Sequence, residues 1–453
     1  MENPYKTAHN FRQLPSSAKG QAGQKHTHMT QSTFLTAFWA ASCIILVSSH
    51  ETYQNIADCM LNRETIDFIA EHRNEDTRTL ALKAKRYPDV DMQQALTQIE
   101  GWHTAREKLP TWAATDGIIY PPRLSMEQCS SESTALYKAA IAKGESLADL
   151  TGGFGIDCSY MARSFSKATY IERNTLLCDI AKENFALLGL THIDIVNGNS
   201  EDVLQALPSQ DWIFIDPARR DGDGRKVVAL SDCEPDVTTL EHTLLQKARK
   251  VMIKCSPMLD ITAASRQLHN IEAIHVVAVN NECKELLFIL GESKGTHTPI
   301  TCANIRKDGS HLFTFTAGEE AGSTATYSDT VGKYLYEPNA AIQKSGCSRA
   351  LSQRFNTPKL HHNSQLYTSD SLIEEFPGRT FTVEKVYGFS KSDIKEIQAL
   401  SQANITVRNF PESVQLLRKK LKLADGGENY IFATTLSGGE KVLIICHKVK
   451  SEK

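Results

Sequence analysis

No two of the chain's eleven cysteines stand at the C-x-x-C spacing of a zinc knuckle or an iron–sulfur cluster. A metal-stapled fold is therefore unsupported, and no metal is expected. An odd, scattered set of thiols fits a reducing compartment, the cytoplasm, better than a disulfide framework. A surplus of one charge is also missing. Fifty Lys and Arg stand against 53 Asp and Glu, a formal net of −3, which excludes a basic coat for nucleic acid. Membrane-length apolar runs are lacking too. Residues 34–47 are mostly apolar, but a spanning helix needs about 20 residues. The uncharged residues 29–33 before that run do not supply the basic region of a signal peptide.

What is present is enough apolar content, 41 %, for real cores in a chain of 453 residues, a length that suggests about three domains. The most informative stretch is residues 147–157, L-A-D-L-T-G-G-F-G-I-D. An apolar strand end runs into a turn where Gly153 and Gly155 let the backbone approach a ligand at φ values other residues resist. A dinucleotide fingerprint would want a small residue at the third position, and Cys158 stands there. Asp149 would repel a pyrophosphate but suits the ammonium of S-adenosylmethionine. A second strand, 168–171, ends in Glu172, about 20 residues on, where a carboxylate grips ribose hydroxyls. Together these make a nucleoside site.

Strand and helix patterns alternate onward: a helix at 174–188, a strand at 193–196, a strand at 212–215 that stops at Asp216-Pro217-Ala218-Arg219-Arg220, and a strand at 251–253. This alternation predicts βαβ units and a parallel sheet, with ligands beyond the carboxyl ends of the strands. Asp149, Glu172, Asn199 and Asp216 all fall at such ends. Before the sheet, residues 63–114 carry apolar positions at helical spacing (Ile66, Ile69, Ala70; Leu80, Leu82, Ala84; Ala95, Leu96, Ile99). They are expected to cap it. Ser130 or Ser131 is the expected N-cap of the helix that follows.

These residues resemble class I methyltransferases that use S-adenosylmethionine. The resemblance places Asp149, Thr151, Gly153 and Gly155 in the first cofactor motif, Glu172 at the ribose, and Asn199 and Ser200 near the adenine. More of the chain resembles a bacterial family of RNA methyltransferases with a ferredoxin-like insert and a C-terminal THUMP-like domain. The matching stretches are Y-P-P-R-L-S-M-E-Q-C-S-S-E at 120–132, I-D-P-A-R-R at 215–220, S-P-M-L-D at 256–260, Y-L-Y-E-P-N-A-A-I at 334–342 and V-R-N-F-P-E-S-V at 407–414. The fold it implies is α/β: a Rossmann-like class I methyltransferase sheet with an N-terminal helical segment and small α+β C-terminal domains. The expected division is a disordered or upstream extension at 1–59 with Met60 as the natural start, a helical domain at 60–119, the methyltransferase domain at 120–279, the ferredoxin-like domain at 280–375 and the THUMP-like domain at 379–453.

At the acceptor, Asp216 is the expected proton acceptor, Pro217 stiffens its loop, and Arg219 is positioned to stack on a base or bind phosphate. Transfer to a base nitrogen of rRNA or tRNA leads, although Ala218 and Arg219 stand where amino-methyltransferases place a second proline and an aromatic. Two alternatives stay open: a ribose 2′-hydroxyl, because Lys254 and Asp216 resemble half of the Lys-Asp-Lys-Glu set of such enzymes, and a pyrimidine C5 served by Cys255. A vestigial RNA-binding fold, an oxidoreductase using NAD, and a protein or small-molecule methyltransferase are the wider rivals. From Arg379 onward 13 basic residues stand against 8 acidic ones. Arg408, Arg418, Lys419, Lys420 and Lys422 are the expected phosphate contacts.

Overall fold

Neighbouring residues on the central strands belong to opposite faces of one sheet. Ala148, Ile171 and Ile213 join one apolar cluster, while Leu147, Tyr170 and Phe214 join the other. Strands buried on both sides read as continuous apolar runs because helices cover each face. The computed structural model describes residues 61–219 and 229–449; the expectation for residues 1–59 lies outside them.

The strands of this sheet are β1 (Ser146–Asp149), β2 (Lys167–Glu172), β3 (Ile193–Asn197), β4 (Gln210–Ile215), β7 (Ala248–Cys255), β8 (Ile271–Val279), β9 (Glu282–Leu290), β10 (Pro299–Arg306) and β11 (Gly309–Thr316), with the two-residue strands β5 (Ala218–Arg219) and β6 (Cys233–Glu234) forming a separate ribbon. Their spatial order is β11-β10-β8-β9-β7-β4-β1-β2-β3. The five strands from β7 to β3 are parallel, and β9 enters antiparallel between β7 and β8. Helices Thr175–Leu187 and Ile156–Met161 cover one face, helices Ser200–Ala206, Val237–Lys247 and Ile261–Gln267 the other. The parallel βαβ part of this sheet is what the alternation predicts, and the whole fits the Rossmann-like fold that the resemblance implies.

The expected boundary at residue 280 does not follow the sheets. Residues 282–316 complete the first sheet instead of opening a new domain. The reason is local: β8 and β9 form a hairpin through Asn280 and Asn281, both at positive φ (50° and 66°), the geometry of a tight two-residue turn that asparagine tolerates. The hairpin returns the chain into the sheet beside β7.

A second sheet runs β13 (Tyr367–Ser369), β12 (Tyr334–Pro338), β14 (Gly378–Tyr387), β17 (Lys441–Lys448), β16 (Asn429–Thr435), β15 (Asn404–Arg408). It docks on the first through helix Ala340–Ser345, whose Ala341 and Ile342 enter the first sheet's core and whose Ala340 N–H donates to Asn281 Oδ1 at 2.9 Å.

The helical segment before the sheet forms as its spacing predicts. Asn62, Asp76 and Asp91 cap three helices by accepting a backbone N–H three residues on, each cap contributing about 1 kcal/mol. Phe68, Leu80, Ala95 and Ile99 form the small core. Leu82 differs from expectation: it ends a six-residue helix and is exposed. Two side-chain amides strap residues 119–120 as a strand partner would. Gln98 exchanges two hydrogen bonds with the Tyr120 backbone and Asn184 two with Ile119, all at 2.8–2.9 Å. Among the described residues no helix is long and apolar enough to cross a membrane, and no group of three or more His, Cys, Asp or Glu is placed to hold a metal ion.

Candidate active site

The glycine loop is built as its composition demands. Gly153 and Gly155 sit at φ 55° and 84°, and Gly155 is the left-handed cap of helix Ile156–Met161. Thr151 N–H donates to Asp149 Oδ1 at 3.0 Å, and Asp216 N–H donates to Thr151 Oγ1 at 2.7 Å. Thr151 thus ties the loop after β1 to the loop after β4. Glu172, at the end of β2, accepts N–H groups from Gly153 (2.9 Å) and Asn174 (2.8 Å), one on each oxygen. Asn199 is exposed and caps helix Ser200–Ala206, accepting from Glu201 N–H at 3.1 Å, with Ser200 as the first helical residue.

Asp149 stands out electrostatically. It is 1 % exposed, and among the described residues its Oδ2 has no hydrogen-bond partner. Burial, reinforced by the nearby Asp157 and Asp216 carboxylates, pushes its pKa well above the usual carboxylate range. A buried acceptor without a donor costs about 1–3 kcal/mol, so this oxygen favours a cationic or N–H-bearing ligand.

Beyond the loop lies a chain of charges. Lys254 Nζ is 2.5 Å from Asp216 Oδ2 and 3.4 Å from Asp157 Oδ2. Lys138 Nζ, fully buried, is 3.2 Å from Asp157 Oδ1 and 2.6 and 2.8 Å from the two oxygens of Glu285. Ser130 donates to Asp157 Oδ2 at 2.7 Å. Ser131, not Ser130, is the N-cap of helix Glu132–Ile141. Burial lowers the pKa of Lys254, but the Asp216, Asp157 and Glu285 carboxylates outweigh it and hold its pKa well above that of an ordinary lysine. Burial works against the Asp157 carboxylate as well, yet the two ammonium groups beside it keep its pKa low. Asp216 is the member that reaches the surface, with a side chain 36 % exposed against 12 % for Lys254.

The sequence reading brought Asp149, Thr151, Gly153, Gly155, Glu172 and Asp216 to this one region. Pro217 is buried beside them, and the Arg219 backbone lies in the ribbon after it, its side chain outside the described residues. Cys255 is buried, and burial pushes its thiol pKa well up, the opposite of an activated nucleophile. The reading missed Asp157, Lys138 and Glu285. It also missed Trp112, whose ring meets Phe154 of the glycine loop edge-on at 4.9 Å, so that the helical segment is packed against the glycine loop itself. A carboxylate abutting the apolar run 286–290 of β9 was the one available signal for Glu285.

In the terminal module the five basic residues divide. Arg408 donates to Glu337 Oε1 at 2.8 Å, and Arg379 pairs with the other oxygen of this fully buried carboxylate. Arg418 pairs with Asp425 at 2.5 Å and donates to the Ala403 carbonyl. Both guanidinium groups are thus engaged in ion pairs. Lys420 is exposed, pairs with Glu412 at 2.8 Å and lies 4.3 Å over the Phe389 ring. Lys419 and Lys422 are exposed.

Two family models match the chain, a ferredoxin-like domain over residues 334–377 and a THUMP domain-like model over 378–448. The crystal structure of a "putative methyltransferase" from Porphyromonas gingivalis W83 is 35 % identical, covers 85 % of this chain and 98 % of that one, and superposes with a TM-score of 0.77. The chain belongs to this methyltransferase family. In this chain the ferredoxin-like and THUMP-like domains both contribute strands to the second sheet. A "putative O-methyltransferase" from Klebsiella pneumoniae (14 % identity, 37 % of this chain and 83 % of that one, TM-score 0.29) and an rRNA methylase from Streptococcus thermophilus (11 %, 36 % and 95 %, TM-score 0.27) are also similar. At those values neither bears on the chemistry of the family. No curated protein matches the chain.

Proposed function

We propose that this family member is an S-adenosylmethionine-dependent methyltransferase acting on structured RNA, rRNA or tRNA. The observation that carries it is a nucleoside cradle in the same chain as a THUMP-like domain. The cradle fits the cofactor: two glycines at positive φ open the loop, the unpartnered Asp149 oxygen suits an ammonium, and Glu172 is fixed by loop N–H groups at the strand end where ribose hydroxyls are bound. When bound, S-adenosylmethionine supplies a methyl group activated on a sulfonium. The chain's own part is to hold an acceptor in line and take one proton, and Asp216, exposed at the end of β4, is the residue for it. The terminal module contributes Lys419, Lys420 and Lys422 on one exposed helix end as phosphate contacts that position RNA without reading its sequence.

The test is calorimetric titration with S-adenosylmethionine, followed by transfer of labelled methyl into total RNA from a strain lacking the gene. Binding with label in RNA is the expected result. Binding with no label in RNA moves the acceptor to protein or small molecules. No binding overturns the enzyme reading.

A further inference from the structure

Five ionisable side chains converge on the acceptor site from five separate elements: Lys138 on helix Glu132–Ile141, Asp157 on helix Ile156–Met161, Asp216 after β4, Lys254 on β7 and Glu285 on β9. We propose that Asp216 and Lys254 serve a ribose 2′-hydroxyl of RNA and not a base nitrogen, an inference that rests on the RNA methyltransferase reading above.

Acceptors differ in the charge they develop. A base amine that receives a methyl group becomes positive until a proton leaves, so an ammonium beside it is adverse. A hydroxyl has to move toward an alkoxide, and an ammonium within hydrogen-bond distance stabilises that oxygen. Lys254 is such an ammonium, 2.5 Å from the carboxylate that faces the acceptor. Three carboxylates keep it protonated, so it acts as an electrostatic partner and not as a base. Asp157 and Glu285 are nearly sealed from solvent and Lys138 fully so. They act through Asp157, which Lys138 and Ser130 hold against Lys254, and are positioning residues. The loop agrees with this choice: Pro217, Ala218 and Arg219 follow Asp216, and none of them offers an aromatic ring on which an extruded base would stack. On an RNA chain every internal nucleotide presents one such hydroxyl, its 2′-OH.

The step balances as follows. The hydroxyl oxygen forms its bond to the methyl carbon while its proton passes to the Asp216 carboxylate. The carbon–sulfur bond of the sulfonium donor breaks, and its electron pair stays on sulfur as a neutral thioether. Lys254 keeps its proton throughout, and Asp216 then releases the one it took to water.

The experiment is nucleoside mass spectrometry of RNA labelled as above. Label in a 2′-O-methylated nucleoside is the expected result. Label on a base overturns this inference and leaves the RNA methyltransferase reading standing; no label in RNA, with the donor bound, overturns both. A second readout needs no transfer: anisotropy of an oligonucleotide spanning the labelled site, binding the chain alone, as ribose or as a single 2′-deoxy substitution. Loss of a hydrogen bond to a charged group weakens the deoxy form about tenfold in the wild-type protein. Lys254→Met brings the ratio near one and Lys254→Arg restores most of it. Glu285→Gln shrinks the ratio without changing affinity for the deoxy oligonucleotide, which loss of a merely structural role would not do. Equal binding of the two oligonucleotides to the wild-type chain sinks the proposal.

Discussion

Asp149 carries a stability cost from the burial of its carboxylate. Its folded pKa lies above the ordinary value of 3.8 because burial disfavours the charged form. Between those two values the native state holds more protons than the unfolded one, so stability falls as pH rises through that range. Asp149→Asn removes the charge at nearly constant shape. The variant is expected to melt above wild type at pH 8, by a margin that shrinks toward pH 4, while losing at least tenfold in affinity for S-adenosylmethionine. Thermal melts across pH and calorimetry check both halves; a variant that melts lower at neutral pH contradicts the assignment. Asp216→Asn separates the neighbouring roles. It keeps the loop geometry, since the Asp216 N–H and not its side chain bonds Thr151. Turnover is expected to drop at least about a hundredfold, the usual span of a lost proton acceptor, with cofactor affinity within a few-fold. Loss of cofactor binding in this variant would mean the residue belongs to the cradle.

At the level of elements, the loop between β1 and helix Ile156–Met161 is fitted to its neighbours as tightly as to a ligand. A Cβ on Gly152 would come within 2.2 Å of the Tyr170 ring, and Tyr170 OH donates to the Gly153 carbonyl at 2.5 Å. Gly152→Ala therefore displaces that ring and the loop with it. The expected cost is about 1–3 kcal/mol of stability, read by denaturant unfolding, with a clear loss of cofactor affinity; unchanged affinity would show that the loop adapts. This loop was legible in the sequence because positive φ admits few residues and glycine announces it. The strand-end carboxylates were legible because alternation fixes where strands stop. Lys138 and Glu285 were not. A lysine on an amphipathic helix reads as solvent-facing, and its partner lies 147 residues away, a pairing that only the insertion of β9 beside β7 creates. The membership of β9 in the first sheet was hidden for the same reason, since its apolar run reads alike whether it opens a domain or completes a sheet. Arg408 carried charge in the right region, but local sequence says nothing of a buried Glu337 waiting on β12.

Across the whole molecule, the THUMP-like module is joined to the catalytic sheet through the ferredoxin-like strands it pairs with and through helix Ala340–Ser345. On the proposed function, RNA bound by the module would sit at a defined distance from Asp216. Two kinds of basic residue follow from this and separate cleanly by salt. Lys419 and Lys422 face solvent, so a phosphate contact by each contributes about one unit to the dependence of log affinity on log salt. The double variant Lys419→Gln, Lys422→Gln is expected to bind RNA more weakly at low salt, to lower that slope by about two, and to melt like wild type. Arg408→Ala is expected to do the reverse. It leaves the buried Glu337 with Arg379 as its remaining charged partner, and a buried ion-pair network that loses a member is strongly destabilised, while the salt slope stays unchanged. Fluorescence anisotropy over 50–300 mM salt, paired with thermal melts, distinguishes the two. A salt slope that falls with Arg408→Ala instead would mean that this guanidinium leaves Glu337 for phosphate, and that the module rearranges when RNA binds.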